Sequence, residues 1–223
     1  MSARAVMVTR SKSAFRGVLR RTGQSAARLV VNPELRRLLS PYLDLYGPSK
    51  SIEFGEFTYF KGPPRVHRYR PSDGPVTIGR YCSIADDVEF LIGGQHHLEF
   101  VTTYPLGGDN DDQYFSKGPI VIGNDVWIGR GAMITSGVTI GDGAVIGARS
   151  LVTKDVRAYA VVAGIPAHEL RRRFTDDQIA RLIKSQWWNW DDAVVRAHAA
   201  LLQNPDVDKF LVVAEQRRRD PAA

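Results

Sequence analysis

The sequence predicts a mainly β protein, a parallel β-helix built from six-residue repeats. Aliphatic residues recur at intervals of six through the centre of the chain, at Ile122, Ile128, Ile134, Ile140, Ile146 and Val152. A small or β-branched residue stands four places after each of them, and glycine directly follows most of them. Because six is a multiple of two, these residues all point to one side of an extended chain and form an inward column. An amphipathic helix would instead repeat near 3.6.

Turn-forming residues separate the predicted strands. Asn124-Asp125 and Asp142-Gly143 fall between ladder positions, and these residue types tolerate the backbone angles that a corner needs. We therefore expect a prism with flat parallel-sheet faces and a corner after each hexad. Three hexads then make one coil, and successive coils stack at about 4.8 Å.

The repeat pattern also sets the domain boundaries. It continues upstream at Ile78 and Ile84, and Phe54 lies four hexads before Ile78. We assign residues 51–165 to the β-helix domain, with a basic N-terminal extension at 1–50 and a C-terminal helical extension at 166–223. No hexad can be read in residues 93–118, the excursion loop. Long loops in compact domains are often functional, so we expect the chemistry there.

Composition indicates one globular domain with appendages. The chain has 223 residues, of which 43% are hydrophobic and 24% charged. Its single cysteine, Cys82, excludes an internal disulfide and falls in an inward position, which favours core packing. The apolar runs are far shorter than the roughly 18 residues that span a bilayer, so we expect no transmembrane segment and a cytoplasmic location.

The net charge of +6 is concentrated at the N-terminus, where seven basic residues precede the first acid, Glu34. Such an arm suits a transit peptide, a membrane-surface helix, a polyanion contact or a solvated helix that caps the β-helix. We favour the capping helix. Nucleic-acid binding is not expected, because the chain has no recognised module and no aromatic residues interleaved with the basic ones.

The C-terminal third changes to a helical period. Thr175 and Gln178 form a capping-box pattern that predicts a helix start, followed by apolar residues at helical spacing. A second helical stretch is expected from Asp191 or Asp192, and a last one ending in the basic run 217–219. We interpret the tryptophans at 187, 188 and 190 as packing residues.

Several motifs occur in a fixed order along the chain: QHH at 95–97, TTYPL at 102–106, IGNDVWIG at 122–129, VVAGIPA at 161–167 and RRF at 172–174. This set resembles the hexapeptide-repeat xenobiotic acetyltransferases, a family that includes chloramphenicol and streptogramin O-acetyltransferases. The resemblance covers the chain from about Phe54 to the tryptophan-rich helix. It implies a left-handed coil, a homotrimer with active sites between subunits, and acetyl transfer from acetyl-CoA to a hydroxyl.

The resemblance makes His96 the general base. A neutral imidazole can take the proton of the acceptor hydroxyl as it attacks the thioester, and no metal is needed. His97 competes for this role, but adjacent residues on an extended segment point in opposite directions. Glu99, or a carbonyl in its place, is expected to orient the imidazole.

Cofactor-binding residues are carried over from the family by position. Trp127 would line the acetyl-CoA groove near the reacting end, and Ser136, Gly137 and Ala148 would lie along the pantetheine arm. Around the nucleotide we expect Lys154, the turn at Ile165 and Pro166, and the cations at 171–173, of which Arg171 and Arg172 are the predicted contacts.

The acceptor is expected to bind between subunits. Tyr59 and Tyr104 are plausible lining residues, with His97 and Glu99 nearby, and the acids Asp109, Asp111 and Asp112 are interpreted as a solvated loop tip. The acceptor stays open among antibiotics, saccharides and other hydroxylated metabolites.

Two alternatives to O-acetylation also stay open. The first is an N-acetyltransferase that acts on an amino sugar, and the second is a non-catalytic β-helix binding module. Zinc-dependent chemistry is not expected, because the histidines do not fall on successive coils at the spacing that a shared metal needs.

Overall fold

The computed structural model describes residues 52–106 and 114–219. The basic N-terminal extension and the acidic run at 109–112 lie outside the described residues. The strands are Ile52–Phe54 (β1), Tyr59–Phe60 (β2), Arg65–His67 (β3), Val76–Ile78 (β4), Ser83–Ile84 (β5), Glu89–Leu91 (β6), Gln95–His96 (β7), Tyr114–Phe115 (β8), Ile120–Ile122 (β9), Trp127–Ile128 (β10), Met133–Thr135 (β11), Thr139–Ile140 (β12), Val145–Ile146 (β13), Leu151–Val152 (β14), Ala160–Gly164 (β15) and Ala167–Arg172 (β16).

Three sheets form the faces of a prism. Face 1 has the order β1-β4-β9-β12, face 2 has β16-β15-β13-β10-β5-β2, and face 3 has β14-β11-β6-β3. The neighbours pair in parallel, except for the antiparallel pair β15 and β16. The chain passes through faces 1, 2 and 3 in turn, which confirms the predicted parallel β-helix.

The predicted ladder is the core of this prism. In register, Ile78 lies beside Ile122, Ile84 beside Ile128 and Phe90 beside Ile134. The ladder residues from 122 to 152 are all at most 3% exposed, and the smaller residues four places later are buried as well. Each fully buried aliphatic side chain contributes about 1.5 to 3 kcal/mol of transfer free energy, which explains why the pattern is kept so strictly.

We name the three corners by what each carries. The helix corner, between faces 1 and 2, packs against the C-terminal helices. The hairpin corner, between faces 2 and 3, carries the β15–β16 turn at 165–166. The loop corner, between faces 3 and 1, carries the excursion loop, residues 93–118.

The spacing of the first coil differs from the simple hexad count. Phe54 pairs with Ile78 across 24 residues, whereas Ile122 pairs with Ile140 across 18. The extra residues form an insertion at 68–75 with a 3₁₀ turn at Pro71–Asp73. This insertion lies at the loop corner, so both interruptions of the coil occur on one side of the prism.

The C-terminal extension is helical, but it begins later than predicted. Residues 167–172 form β16, which pairs with β15 and closes face 2. The helices are Asp176–Ser185 (α1), Asp192–Ala197 (α2), Ala199–Leu202 (α3) and Val207–Arg219 (α4), with a 3₁₀ turn at Trp187–Asn189. Thr175 and Gln178 form the predicted capping box of α1.

The helices have their own apolar core against the helix corner. Trp187 and Trp188 are buried beside Tyr159, Leu182 and Phe210, and Trp190 packs against the same cluster. The packing interpretation of the tryptophans is therefore confirmed. Among the described helices, none combines the length and apolar character needed to cross a membrane.

Candidate active site

The excursion loop leaves face 3 after β6 and returns to face 1 at β9. Its base is a two-stranded antiparallel pair, in which Gln95 lies opposite Phe115 and His96 opposite Tyr114. This short pairing begins after Gly94, whose φ of +79° favours glycine. The predicted catalytic histidine therefore lies on an ordered hairpin base, close to the body of the prism.

His96 is oriented by a backbone carbonyl. Its Nδ1 lies 2.6 Å from the carbonyl oxygen of Thr103, and its ring makes an edge contact with Tyr114 at 4.7 Å between centroids. A carbonyl oxygen can only accept a hydrogen bond, so Nδ1 carries the hydrogen. In the neutral ring, Nε2 then keeps its lone pair and can accept a proton.

His97 is held differently. Its Nδ1 donates to the Glu99 carboxylate at 2.8 Å. Its ring stacks on Phe100 at 4.7 Å between centroids and lies tilted against Phe115 at 5.0 Å. The hydrogen bond from His97 lowers the pKa of Glu99. The sequence allowed either Glu99 or a backbone carbonyl as the orienting partner of His96. The structure has a carbonyl, that of Thr103, and Glu99 is bonded to His97 instead.

Hydrogen bonds fix the two ends of the excursion loop to the prism. The Ser116 hydroxyl bonds the Ile92 carbonyl oxygen at 2.5 Å, and the Ser136 hydroxyl donates to Gln95 Oε1 at 3.1 Å. The Lys117 amide in turn donates to Ser136 Oγ at 3.2 Å. The loop base next to His96 is therefore anchored through Ser136.

The insertion at 68–75 supports the same loop. The buried Asp73 carboxylate accepts from the backbone amides of Tyr69 and Arg70 at 2.9 and 2.7 Å. A side chain at Gly93 would overlap this carboxylate, so the loop can leave face 3 at that point only through glycine. Sequence reasoning missed Asp73 and Ser116, and the turn-forming run PSDG at 71–74 was the available signal.

An outward column runs along face 2. Tyr59, Ser83, Trp127, Val145, Val161 and Arg171 lie side by side in register. Trp127 is 56% exposed, as its place after the inward Val126 predicts. A groove of about 370 Å³ lies along this column and includes Trp127 and Arg171 in its wall.

The residues predicted for the pantetheine arm and for the nucleotide are not brought together in one chain. Gly137 and Lys154 are exposed at the loop corner, whereas Ala148, Ile165 and Pro166 are exposed at the hairpin corner. The assignment of Ser136 is corrected. This side chain is 2% exposed and its hydroxyl is bonded internally, because period-two alternation from Ile134 turns it inward.

The predicted cations also differ in availability. Arg171 is exposed on face 2, but Arg172 is half-buried, donates to the Ala158 carbonyl at 2.8 Å and lies 3.6 Å from Asp176. Arg173 is part of the fold, since it bonds Asp125 at 3.2 Å and the Gly143 carbonyl at 2.7 Å. Arg171 and Lys154 are therefore the exposed cations of the predicted set.

Apart from Ala148, Ile165 and Pro166 at the hairpin corner, most of the predicted site residues fall into two groups on opposite sides of the prism. His96, Gly137, Lys154 and the described part of the excursion loop lie at the loop corner, and Tyr104 is exposed in that loop. Trp127, Tyr59 and Arg171 lie on face 2, which is opposite the loop corner in a three-sided coil. No group of three or more histidine, cysteine or acidic side chains within 52–106 and 114–219 is placed to hold a metal ion.

Comparisons with known proteins agree with this architecture. The family described as bacterial transferase hexapeptide (six repeats) matches residues 119–154. A chloramphenicol acetyltransferase of Agrobacterium fabrum is 38% identical over 184 residues, which cover 74% of this chain and 88% of that protein. A virginiamycin A acetyltransferase of Staphylococcus aureus is 35% identical over 72% of this chain and 80% of the relative.

A third relative is a probable macrolide acetyltransferase of Lysinibacillus sphaericus. It is 41% identical over 134 residues, covering 56% of this chain and 74% of that protein. The fold and these relatives define an acyltransferase of the left-handed β-helix class that uses acetyl-CoA as donor. The chain belongs to the hexapeptide-repeat xenobiotic acetyltransferases, as the motif set predicted, and its activity is acetyl transfer to a hydroxyl.

Proposed function

We propose that His96 is the general base of this acetyl transfer. The observation that carries the proposal is the 2.6 Å contact between His96 Nδ1 and the Thr103 carbonyl, which leaves Nε2 as the basic nitrogen. His97 is the weaker candidate, because its ring contacts Phe100 and Phe115 and its Nδ1 is bonded to Glu99. Its contacts make it a support of the loop.

The proposed step is a direct transfer. His96 Nε2 takes the proton of the acceptor hydroxyl while the oxygen attacks the thioester carbonyl of acetyl-CoA. The tetrahedral intermediate collapses, the carbon–sulfur bond breaks, and the imidazolium returns the proton to the CoA sulfur. A positioned base of this kind contributes about 10² to 10⁴ in rate.

The test compares His96→Ala with His97→Ala in a thiol-release assay. The acceptor panel contains chloramphenicol, a macrolide, a galactoside and an amino sugar. His96→Ala should lower kcat by about 10² to 10⁴ without changing the melting temperature, and His97→Ala should lower it much less. A larger loss in His97→Ala, with His96→Ala near wild type, would reverse the assignment.

We also propose that the active site forms between two subunits of a homotrimer. The support is the separation of His96, at the loop corner, from Trp127 and Arg171, on the opposite face of the same chain. In a closed ring of three copies, the loop corner of one subunit can lie against face 2 of the next. Each interface then receives one histidine and one tryptophan column.

Exposed apolar side chains in the excursion loop support this arrangement. Leu98, Val101, Tyr104 and Leu106 are all more than two-thirds exposed in the single chain. A cluster of exposed apolar residues is typical of a surface that is covered by a partner or a ligand. We propose that the neighbouring subunit and the acceptor cover it, and that the acceptor is a hydroxylated small molecule with a large apolar surface.

Mixed trimers test the shared site. His96→Ala and Trp127→Ala chains are co-expressed with different tags, and activity is measured at low acetyl-CoA concentration. If each site takes His96 from one subunit and Trp127 from the next, about one quarter of the sites in a random mixture are intact. The mixture should then exceed both parents severalfold. Activity equal to the average of the parents would contradict a shared site, and light scattering gives the subunit number independently.

A further inference from the structure

The ring of Tyr114 lies against the imidazole of His96 at the base of the excursion loop. The two residues are directly opposite each other in the antiparallel pair of β7 and β8, so their side chains project from the same side of this ribbon. Their ring centroids are 4.7 Å apart and the ring planes are perpendicular, at 90°. Aromatic rings prefer this edge-to-face geometry, which has a direction that aliphatic packing lacks.

The hydrogen bond to Thr103 leaves one movement of the His96 ring open. The terminal torsion of a histidine side chain has broad minima, so a single bond at Nδ1 still permits the ring to tilt. Such a tilt swings Nε2, which is the nitrogen proposed to take the proton. A perpendicular ring beside the imidazole restricts this tilt. The Thr103 carbonyl therefore selects the tautomer, and the Tyr114 ring limits the direction of Nε2.

The insertion at 68–75 contacts the same tyrosine. The guanidinium carbon of Arg70 lies 5.9 Å from the centroid of the Tyr114 ring, which is within the range of a cation–π contact. The Arg70 backbone amide donates to the Asp73 carboxylate at 2.7 Å, so the start of this side chain is fixed. Tyr114 is half-buried and thus connects the insertion with His96.

We propose that Tyr114 is a positioning residue of the acetyl transfer, whose ring directs Nε2 of His96 at the acceptor hydroxyl, and that Arg70 holds Tyr114 in place. The inference rests on the proposed role of His96 as the general base. The contribution comes from the tyrosine ring and not from its hydroxyl, since the ring makes both contacts. The insertion at 68–75 then serves the reaction as well as the fold.

Three variants separate this role from a structural one. Tyr114→Leu keeps an apolar side chain without the perpendicular ring and should lower kcat by about 10- to 100-fold, because small displacements of a reacting group cost rate steeply. The KM for acetyl-CoA should stay within about twofold, since Trp127 and Arg171 lie on face 2. Tyr114→Phe keeps the ring and should retain kcat within about twofold. The matched Phe115→Leu, at the next position of β8, should lower the melting temperature as much as Tyr114→Leu but kcat by less than about threefold.

The imidazole ¹⁵N spectrum reports the orientation of His96 directly. Its signals are assigned by comparison with His96→Ala, and the tautomer is measured at about pH 8.5, where imidazoles are neutral. In the wild type, Nδ1 should carry the hydrogen. In Tyr114→Leu, signals of the Nε2–H tautomer should appear, because a tilted ring loses its bond to Thr103, and this tautomer cannot accept the proton at Nε2. Tyr114→Phe should give the wild-type spectrum.

A double substitution tests the role of Arg70. Arg70→Met keeps most of the apolar stem and should lower kcat by about two- to fivefold, the factor that corresponds to an exposed cation–π contact. Combined with Tyr114→Leu, it should cause no further loss, because Arg70 acts through the tyrosine ring. Independent losses in the double variant would overturn the role of Arg70.

Three results would overturn the role of Tyr114: wild-type kcat in Tyr114→Leu, an equal loss of kcat in Phe115→Leu, or an unchanged tautomer of His96 in Tyr114→Leu. If Tyr114→Leu does not fold, Tyr114→Met, with a longer and more flexible apolar side chain, replaces it in both measurements. Full activity of His96→Ala would instead overturn the general base itself, so the failure of the proposed function is distinguishable from the failure of this inference.

Discussion

The coils and the excursion loop are stabilised by different kinds of contact. In the coils, each inward residue packs against its equivalents above and below, as Ile134 does between Phe90 and Val152. In the described part of the excursion loop, position depends on individual hydrogen bonds, such as those of Ser136 and of the Thr103 carbonyl.

This difference separates stability from activity. Hydrophobic packing in a column is non-directional, and the same contact is repeated in every coil. The loss of one side chain therefore lowers the free energy of unfolding without moving a reacting group. A hydrogen bond at the loop base is directional, and its loss can displace His96 by the small distance that matters for proton transfer. Substitutions in the two regions should therefore have different consequences.

The largest expected effect on stability is in the coil. Ile134→Ala removes three buried carbon atoms between two packed neighbours and should lower the free energy of unfolding by about 2 to 5 kcal/mol. Turnover per folded molecule should stay within about twofold, because the Ile134 side chain is buried in the inward column and is not among the predicted site residues. Denaturant unfolding and active-site titration measure the two quantities. The outward Val121→Ala, on face 1, is the matched control and should cost under about 0.5 kcal/mol.

A coil substitution that lowered turnover without lowering the unfolding midpoint would contradict the separation of stability in the coils from activity at the loop corner. It would mean that the columns transmit strain to the loop corner. Normal turnover in a destabilised Ile134→Ala would support the division, since the site would survive as long as the chain is folded.

A pair of buried serines gives a smaller and more specific effect. Ser136→Ala removes the hydroxyl that links Lys117 and Gln95, and Ser150→Ala removes one that accepts from the Gly164 amide at 3.2 Å. Both should cost about 1 to 3 kcal/mol, since each leaves a backbone amide without its partner. Only Ser136→Ala should lower kcat, by about tenfold, because Gln95 precedes His96.

The measurement is kcat and the melting temperature of both variants in parallel. Equal losses of kcat in Ser136→Ala and Ser150→Ala would show that the loop corner has no special role, and would contradict the positioning of His96 through Ser136. Ser136→Thr keeps the hydroxyl and should recover part of the activity, which a purely steric effect would not allow.

Much of the fold could be predicted from the sequence, because its period is local and repeated many times. The ladder from Ile122 to Val152 predicted the inward column, and the capping box predicted the start of α1. The strand β16 was missed because Ala167–Arg172 is mostly exposed and has no hexad neighbour to reveal its pairing. The insertion at 68–75 was hidden because its length preserved the phase of six.

The site was less predictable, because its decisive contacts involve backbone groups and distant residues. The partner of His96 is a carbonyl, which no side-chain pattern can reveal. Ser136 was assigned to the cofactor groove although alternation from Ile134 already placed it inside. The division of the predicted residues between the loop corner and face 2 follows from coil topology, and a motif list cannot show it.

The smallest expected effect concerns Glu99. Glu99→Gln removes the charge that pairs with His97 but keeps an acceptor, and the side chain is exposed, so kcat at pH 7 should change by less than about twofold. The pKa of Glu99 is lowered in the folded chain, so any stabilisation by its charge is present above its unfolded pKa and is lost as pH falls through the folded value.

Thermal unfolding from pH 7 to pH 3 measures this dependence, with Glu53→Gln on the outward side of β1 as the exposed control. Wild type should lose slightly more stability than Glu99→Gln over the acid range, while the control should follow wild type. A large loss of kcat in Glu99→Gln would place the His97 contact in the catalytic machinery. The loop would then depend on two oriented histidines, and the carbonyl of Thr103 would no longer explain the orientation of His96 by itself.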